Sequence, residues 1–137
     1  MLFAVPFGDH LIAQQAIISS KGRGIRVVVA ADKIVHSFVR SNDSEFKSNL
    51  HQGGHIEAFE SPTALADMSI KLARTFGLKM GSIDYLFGEE PDEFWLCEIN
   101  STPGMAYLFE AEQTNNTQLI EKFMAIPGKM LAKEGIR

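Results

Sequence analysis

The sequence predicts an α+β fold in which helices back one face of an antiparallel sheet. Residues 25–40, IRVVVAADKIVHSFVR, are rich in β-branched side chains and predict a hairpin. Residues 62–76 repeat apolar side chains at helical spacing. Residues 81–100 predict a second hairpin, in which GSIDYLFG and FWLCEIN are joined by the turn EEPDE. A helix between two hairpins favours this fold class.

The composition is that of one globular domain over residues 1–137, with 45% hydrophobic and 22% charged residues. The net charge of −4 comes without a clustered basic excess, so we expect no nucleic-acid partner. No run approaches the roughly 18 apolar residues of a membrane span, so we expect no membrane partner. With Cys97 as the only cysteine and no signal-peptide pattern, we expect no disulfide and a reducing, cytoplasmic location.

The first part of the chain predicts strands and one long loop. HLIAQQAII, residues 10–18, has the composition of a strand that ends at the polar turn SSKGRG. The first hairpin turns at Ala31 and Asp32, although a tight turn prefers Gly or Asn where Ala31 stands. Residues 41–55 are polar and contain a Gly pair, which predicts a loop, and loops of this length are usually functional or disordered.

Two helices are predicted. The first begins with Ser61 as the N-cap and Pro62 as the first helical residue, and Gly77 ends it. Its predicted core face consists of Leu65, Met68, Leu72 and Phe76. The second predicted helix covers residues 117–133, and we expect Pro127 to kink or interrupt it.

The second hairpin predicts a group of oxygen-bearing side chains on one face. Successive residues of a strand point to opposite faces, and directly opposed residues share a face. The apolar odd-numbered residues form the predicted core face: Ile83, Tyr85, Phe87, Trp95, Cys97 and Ile99. Asp84, Glu98 and Asn100 then lie together on the other face.

These three side chains have the chemistry of a divalent-cation site. Two neighbouring carboxylates repel each other unless a cation lies between them. Mg²⁺ binds a few carboxylate and amide oxygens and keeps positions open for phosphate oxygens. Asp84, Glu98 and Asn100 therefore predict a site for Mg²⁺, or Mn²⁺ in its place, that also holds a nucleotide. The alternative is a solvated polar face with two unrelated acids, because Glu-x-Asn is short and unspecific.

Candidate phosphate-binding groups elsewhere favour the nucleotide site. FKSNLHQGG carries the cation Lys47 and the polar side chains of Ser48 and Asn49. The Gly pair 53–54 permits backbone N–H groups to approach an anion. Arg26 alternates with core-type valines, and arginine suits forked contact with phosphate.

Taken in order, these motifs resemble those of ATP-grasp ligases. GRGIRVVVAADKIVHSFVR, FKSNLHQGG, GSIDYLF and CEINSTPGM follow one another within residues 9–105. SNLHQGG most resembles the RimK-like α-L-glutamate ligases, and glutathione synthetases carry a looser version. The resemblance implies that the α+β fold is the C-terminal half of an ATP-grasp domain.

The resemblance implies an ATP- and Mg²⁺-dependent ligase. ATP phosphorylates a carboxylate, and an amine attacks the acylphosphate to give an amide or peptide bond. The implied partners are ATP, an amino acid such as glutamate, and a carboxylate on a small molecule or on a peptide or protein terminus. A homo-oligomer stays open.

The resemblance also implies roles for individual residues. The implied metal ligands are Asp84, Glu98 and Asn100, with Glu98 bridging two ions. The implied ATP contacts are Lys47, Ser48 and Asn49, together with Gln15, Ala16 and Ile17 around the adenine. Arg26, which contacts phosphate or the acyl group, and Lys47 are the implied catalytic residues.

Some features depart from this resemblance. Gly24 stands where such ligases commonly have Asp, Gln15 where they have Glu, and Lys47 where they have Arg. These departures favour an alternative, a non-catalytic module that binds nucleotide or another subunit. The sequence also starts at the second ATP-grasp subdomain, so we expect a fragment that does not ligate by itself.

Overall fold

The computed structural model describes residues 15–42 and 55–104 of the 137-residue chain. These residues form a five-stranded antiparallel sheet in the order β3-β2-β1-β4-β5, with one helix packed on one face. The elements are β1 (Arg23–Ala30), β2 (Lys33–Ser41), β3 (His55–Ala58), α1 (Thr63–Thr75), β4 (Met80–Phe87) and β5 (Phe94–Asn100). The predicted fold class is confirmed.

Part of the prediction falls outside the described residues. This applies to residues 10–14 of the first predicted strand, residues 43–54 of the loop, and the helix over 117–133. β3, which pairs with β2, was not predicted, because its four residues, HIEA, are too few for their alternation to stand out from the polar loop before them.

The core lies between α1 and one face of the sheet. Its buried members are Ile25, Val27, Val29, Leu65, Ala73, Ile83 and Tyr85. The strand residues among them are all odd-numbered, as alternation requires for a shared face. The even-numbered residues of β1 and β4 therefore face away from the helix.

α1 ends as predicted but begins differently. Gly77 has φ 65°, its N–H donates to Arg74 O, and the N–H of Leu78 donates to Ala73 O at 2.8 Å. This is a Schellman motif, which needs a residue that tolerates positive φ. The predicted N-cap was wrong: Pro62 is the cap, and the Ser61 hydroxyl donates to the Ser37 hydroxyl instead.

The buried stripe of α1 differs from the predicted one. Leu65, Ser69 and Ala73 are buried, whereas Met68 is 49% exposed and Phe76 is 61% exposed. The small side chains of Ser69 and Ala73 face the sheet, and the Ser69 hydroxyl bonds the Tyr85 hydroxyl at 2.8 Å. A search for large apolar residues misses a stripe in which small residues permit close packing.

The first hairpin turns at the predicted pair. Ala31 and Asp32 have φ of 49° and 62°, the conformation of a type I′ turn. This turn matches the twist of the flanking strands, and Ala31 adopts it although its Cβ disfavours positive φ.

The strand predicted to run through residue 18 was wrong in its described part. Residues 15–17 have no regular structure, and Ile18–Ser20 form a 3₁₀ turn. The Ser19 hydroxyl donates to Phe87 O, and the Ser20 hydroxyl accepts from Phe87 N–H, both at 2.9 Å. Serine side chains compete in this way with strand hydrogen bonding.

Within 15–42 and 55–104, no helix has the length and apolar character needed to cross a bilayer.

Candidate functional site

The sheet face opposite α1 is the polar face of this fold. It carries a row of charged residues, the polar row, across three adjacent strands. Arg26 of β1 is paired in register with Asp84 of β4, and Asp84 is paired with Glu98 of β5. One step along, Ser82 is paired with Asn100. Asp84, Glu98 and Asn100 thus share one face, as the sequence predicted, while their role as metal ligands stays a prediction.

Asp84 is held by two arginines. Arg26 Nε donates to Oδ1 at 2.8 Å and Arg26 Nη2 to Oδ2 at 2.6 Å, a forked pair. Arg40 Nη2 also donates to Oδ2, at 2.9 Å. Asp84 is only 4% exposed, so water does little to screen these bonds.

Arg40 is the residue of this site that the sequence analysis missed. Its side chain is 16% exposed and its buried Nε has no hydrogen-bond partner. Desolvation lowers the pKa of its guanidinium, while the charge of Asp84 opposes that effect. Gly24 lies directly opposite Arg40 on β1 and offers no side chain to it.

A bulge explains why the position of Arg40 was not predicted. Val28 pairs with His36 and Val29 pairs with Ile34, which leaves Val35 as the extra residue of β2. Without that extra residue, the two-residue turn would place Arg40 on the helix face of the sheet. The bulge brings Arg40 to the face of Arg26, an effect that bulges near functional sites commonly have.

A second bulge corrects the predicted register of β4 and β5. Ile83 pairs with Ile99 as expected, but Tyr85 pairs with Leu96, so Cys97 is the extra residue. Beyond the bulge the faces are exchanged, and the prediction that Trp95 and Cys97 belong to the core was wrong. Trp95 is 50% exposed and Cys97 is also exposed.

The charges of the polar face affect the pKa of the Cys97 thiol. Desolvation first, and then the negative charges of Asp84 and Glu98, raise the pKa of its thiol, and Arg40 partly offsets them. The shift in pKa has the direction expected for a thiol beside carboxylates.

Carboxylate and amide oxygens, the atoms that Asp84, Glu98 and Asn100 offer, are the ligand types that Mg²⁺ prefers. A carboxylate offers about four acceptor positions, and Asp84 uses three of them on arginine N–H groups. Asn100 Oδ1 accepts from Thr102 N–H at 2.8 Å and keeps its second lone pair. Across the described ranges, no group of three or more His, Cys, Asp and Glu side chains is placed to hold a metal ion. The candidate set is therefore two acids and one amide, which suits an ion that takes further ligands from phosphate and water.

Comparison with known proteins decides the family. Residues 4–125 match the RimK-like ATP-grasp domain. The chain belongs to the RimK-like ATP-grasp family. It is 29% identical over 118 residues to a probable α-L-glutamate ligase of Rhodopirellula baltica, a match that covers 85% of this chain and 29% of the relative. It is 32% identical over 97 residues to the ribosomal protein bS6–L-glutamate ligase of Escherichia fergusonii, which covers 70% of this chain and 32% of the relative.

A solved structure supports the ATP-grasp fold. The RiPP-associated ATP-grasp ligase of Chryseobacterium gregarium, in complex with ADP and a leader and core peptide, superposes with a TM-score of 0.60 at 18% identity. The match covers 85% of this chain and 35% of the ligase. The chain spans about a third of the length of the curated relatives named above.

The remaining residues implied by the ATP-grasp resemblance are placed as follows. Gln15 and Ala16 are exposed and Ile17 is half-buried, and the Ile17 carbonyl accepts from Ser20 N–H at 3.2 Å. This segment is anchored to β4 at Phe87, three residues beyond Asp84. Lys47, Ser48 and Asn49 lie outside the described residues.

Proposed function

We propose that this chain supplies the Mg²⁺- and phosphate-binding part of an ATP-grasp ligase that joins an amine to a carboxylate through an acylphosphate. The observation that carries the proposal is the polar row itself. Asp84 and Glu98 are directly opposed on one face, and two guanidinium groups converge on Asp84. Acids for a cation and arginines for phosphate lie within one charged cluster, as phosphoryl transfer requires.

The roles divide by charge. Asp84, Glu98 and Asn100 hold Mg²⁺, or Mn²⁺ in its place, and Arg26 and Arg40 bind phosphate or the acyl group. Lys47, Ser48 and Asn49 contact ATP, and Gln15, Ala16 and Ile17 line the adenine pocket. Both relatives named above are L-glutamate ligases by name, which favours glutamate as the amino acid and a peptide or protein carboxylate as the acceptor.

The ion pairs on Asp84 imply cooperation between the two ligands. Two guanidinium charges against one carboxylate disfavour a cation at Asp84. Phosphate accepts hydrogen bonds from the same guanidinium groups, so phosphate binding frees Asp84 oxygens for Mg²⁺. Each ligand therefore raises the affinity for the other by the same factor.

Titration of the 137-residue chain with Mg²⁺, with and without inorganic phosphate and followed by NMR shifts of backbone amides, tests this proposal. We expect phosphate to strengthen Mg²⁺ binding in the wild type. Arg40→Gln should strengthen the binding of Mg²⁺ alone, because a neighbouring positive charge is lost, and should reduce the effect of phosphate. Glu98→Gln should abolish metal binding and leave the fold intact.

Arg74 supplies the matched control. It is an exposed arginine of α1 that pairs with Asp32 at 3.4 Å, away from the polar row. Arg74→Gln should behave as the wild type does. Equal Mg²⁺ binding by the wild type and Glu98→Gln, or equal effects of the two arginine substitutions, would contradict the proposal.

A second candidate function is a nucleotide-binding or subunit-interaction module without catalysis. It is favoured by the departures from the ATP-grasp pattern at Gln15, Gly24 and Lys47. Gly24 has no side chain to pair with Arg40 Nε, which has no partner. Ligation assays of the full-length protein separate the two candidates, because a non-catalytic module binds Mg²⁺ and nucleotide but forms no amide.

Since the chain spans about a third of the length of the two relatives named above, we predict no ligation by these 137 residues alone. The cytoplasmic location is a prediction from the single cysteine.

A further inference from the structure

We propose that Ser82 is a positioning residue of the cation site, and that its hydroxyl accepts a hydrogen bond from the side-chain amide of Asn100 when the site is loaded. The inference rests on the proposed function, since it concerns how one proposed metal ligand is oriented. Ser82 lies on β4 two residues before Asp84, and Asn100 is its register partner on β5. Ser82 therefore lies on the polar face beside two of the proposed ligands.

The Ser82 hydroxyl is buried and unpaired. The residue is 0% exposed, and its Oγ has no hydrogen-bond partner. Its other register partner, Val28 of β1, is also fully buried and its side chain cannot form a hydrogen bond. Buried hydroxyl groups are nearly always paired, because an unpaired one loses its bonds to water without replacement.

Ser69 shows the usual behaviour of a buried serine in this fold. It is equally inaccessible, at 0% exposure, but it belongs to α1 and lies on the helix side of the sheet. Its hydroxyl donates to Leu65 O at 2.7 Å and is 2.8 Å from the hydroxyl oxygen of Tyr85. Among the described residues, the two buried side-chain atoms without a hydrogen-bond partner, Ser82 Oγ and Arg40 Nε, both lie on the polar face.

Asn100 carries the group that complements Ser82. Its Oδ1 accepts from Thr102 N–H and keeps one lone pair for a cation, while its Nδ2 has two N–H donors. Directly opposed residues have Cβ atoms about 4.5–5.5 Å apart, within the range that one side-chain hydrogen bond spans. In the loaded site, a bond from Nδ2 to Ser82 Oγ fixes the plane of the amide and hence the direction of Oδ1.

This role predicts opposite effects on stability and affinity. A hydroxyl that gains its partner only when the site is loaded destabilises the chain without ligands. Loss of a residue that orients a metal ligand typically weakens metal binding about 10-fold or more. A serine with a merely structural role would change stability without this loss of affinity.

Ser82→Ala tests the inference in the 137-residue chain. Two quantities are measured: the midpoint of urea unfolding without ligands, and the affinity for Mg²⁺ in the presence of inorganic phosphate. We expect an unchanged or higher midpoint and an affinity about 10-fold weaker. For the paired serine, Ser69→Ala should lower the midpoint and leave the affinity unchanged.

Glu98→Gln separates failure of this inference from failure of the proposed function. If the wild type does not bind Mg²⁺, or Glu98→Gln binds it equally well, both ideas fall. If Glu98→Gln loses binding while Ser82→Ala binds as the wild type does, only the role of Ser82 is overturned. A lower midpoint together with weaker binding in Ser82→Ala also overturns it, because damage to the fold then explains the loss.

Discussion

At the scale of single residues, Asp84 controls the charge of the polar face. It accepts three hydrogen bonds from two arginines while only 4% exposed. The sequence predicted that Asp84 and Glu98 share a face, because alternation along β4 and β5 fixes it. It did not predict the second arginine on Asp84, since that contact joins residues 44 positions apart through the register of three strands.

Removal of the Asp84 charge should destabilise the chain. Asp84→Asn leaves two poorly exposed guanidinium groups without their counter-charge, and breaking a buried pair from one side costs about 3 kcal/mol. Arg40→Gln should cost less, because Asp84 keeps its forked bond to Arg26. Urea unfolding measures the loss of stability in each variant, with Asp92→Asn at the exposed hairpin tip as the control. Equal stability of Asp84→Asn and the wild type would contradict the structural account of Asp84.

The Cys97 thiol should react slowly and with a shifted pH profile. A raised pKa means less thiolate at any given pH, so the midpoint of alkylation lies above that of an unstructured peptide. Glu98→Gln removes a nearby negative charge and should move the midpoint to lower pH. Iodoacetamide rates measured against pH test this, because Cys97 is the only cysteine. The same shift in Glu89→Gln, at the exposed hairpin turn, would contradict the assigned cause.

At the scale of elements, the two bulges decide which side chains meet. β1, β2, β4, β5 and α1 were predicted to within a few residues, because alternation, the helical apolar repeat and Gly77 mark them, whereas β3 was missed. The extra residues Val35 and Cys97 carry no comparable mark, since each belongs to an ordinary apolar run. One bulge brings Arg40 to Asp84, and the other moves Trp95 out of the predicted core.

Glycine in place of Ala31 should stabilise the first hairpin turn. Ala31 has φ 49°, a conformation that costs an L-residue with a Cβ roughly 1 kcal/mol and glycine very little. Ala31→Gly should therefore raise the free energy of unfolding in urea titrations, by less than about 1 kcal/mol because added freedom of the unfolded chain offsets part of the gain. Ala30→Gly, one position earlier in β1, should lower it by about 0.5–1 kcal/mol through added freedom of the unfolded chain. A loss of stability in Ala31→Gly would contradict the turn assignment.

At the scale of the whole molecule, the order of elements was enough to predict the fold class. Two hairpins separated by a helix have few ways to bury one apolar face, and an antiparallel sheet backed by that helix is the simplest. The strand order β3-β2-β1-β4-β5 needed the structure, because β1 and β4 pair although β2, β3 and α1 lie between them in the sequence. That long-range pairing places Arg26 beside Asp84, and it is what turns scattered charged residues into one candidate site.

The position at which Mn²⁺ binds tests the proposed metal site most directly. Paramagnetic broadening of backbone amide signals, measured on the isotope-labelled 137-residue chain with inorganic phosphate present, reports which residues lie near the ion. We expect broadening centred on Asp84, Glu98 and Asn100. The broadening should be lost in Glu98→Gln and retained in Asp67→Asn, on the exposed side of α1. Broadening centred on the acidic turn at residues 89–93, or unchanged in Glu98→Gln, would contradict it.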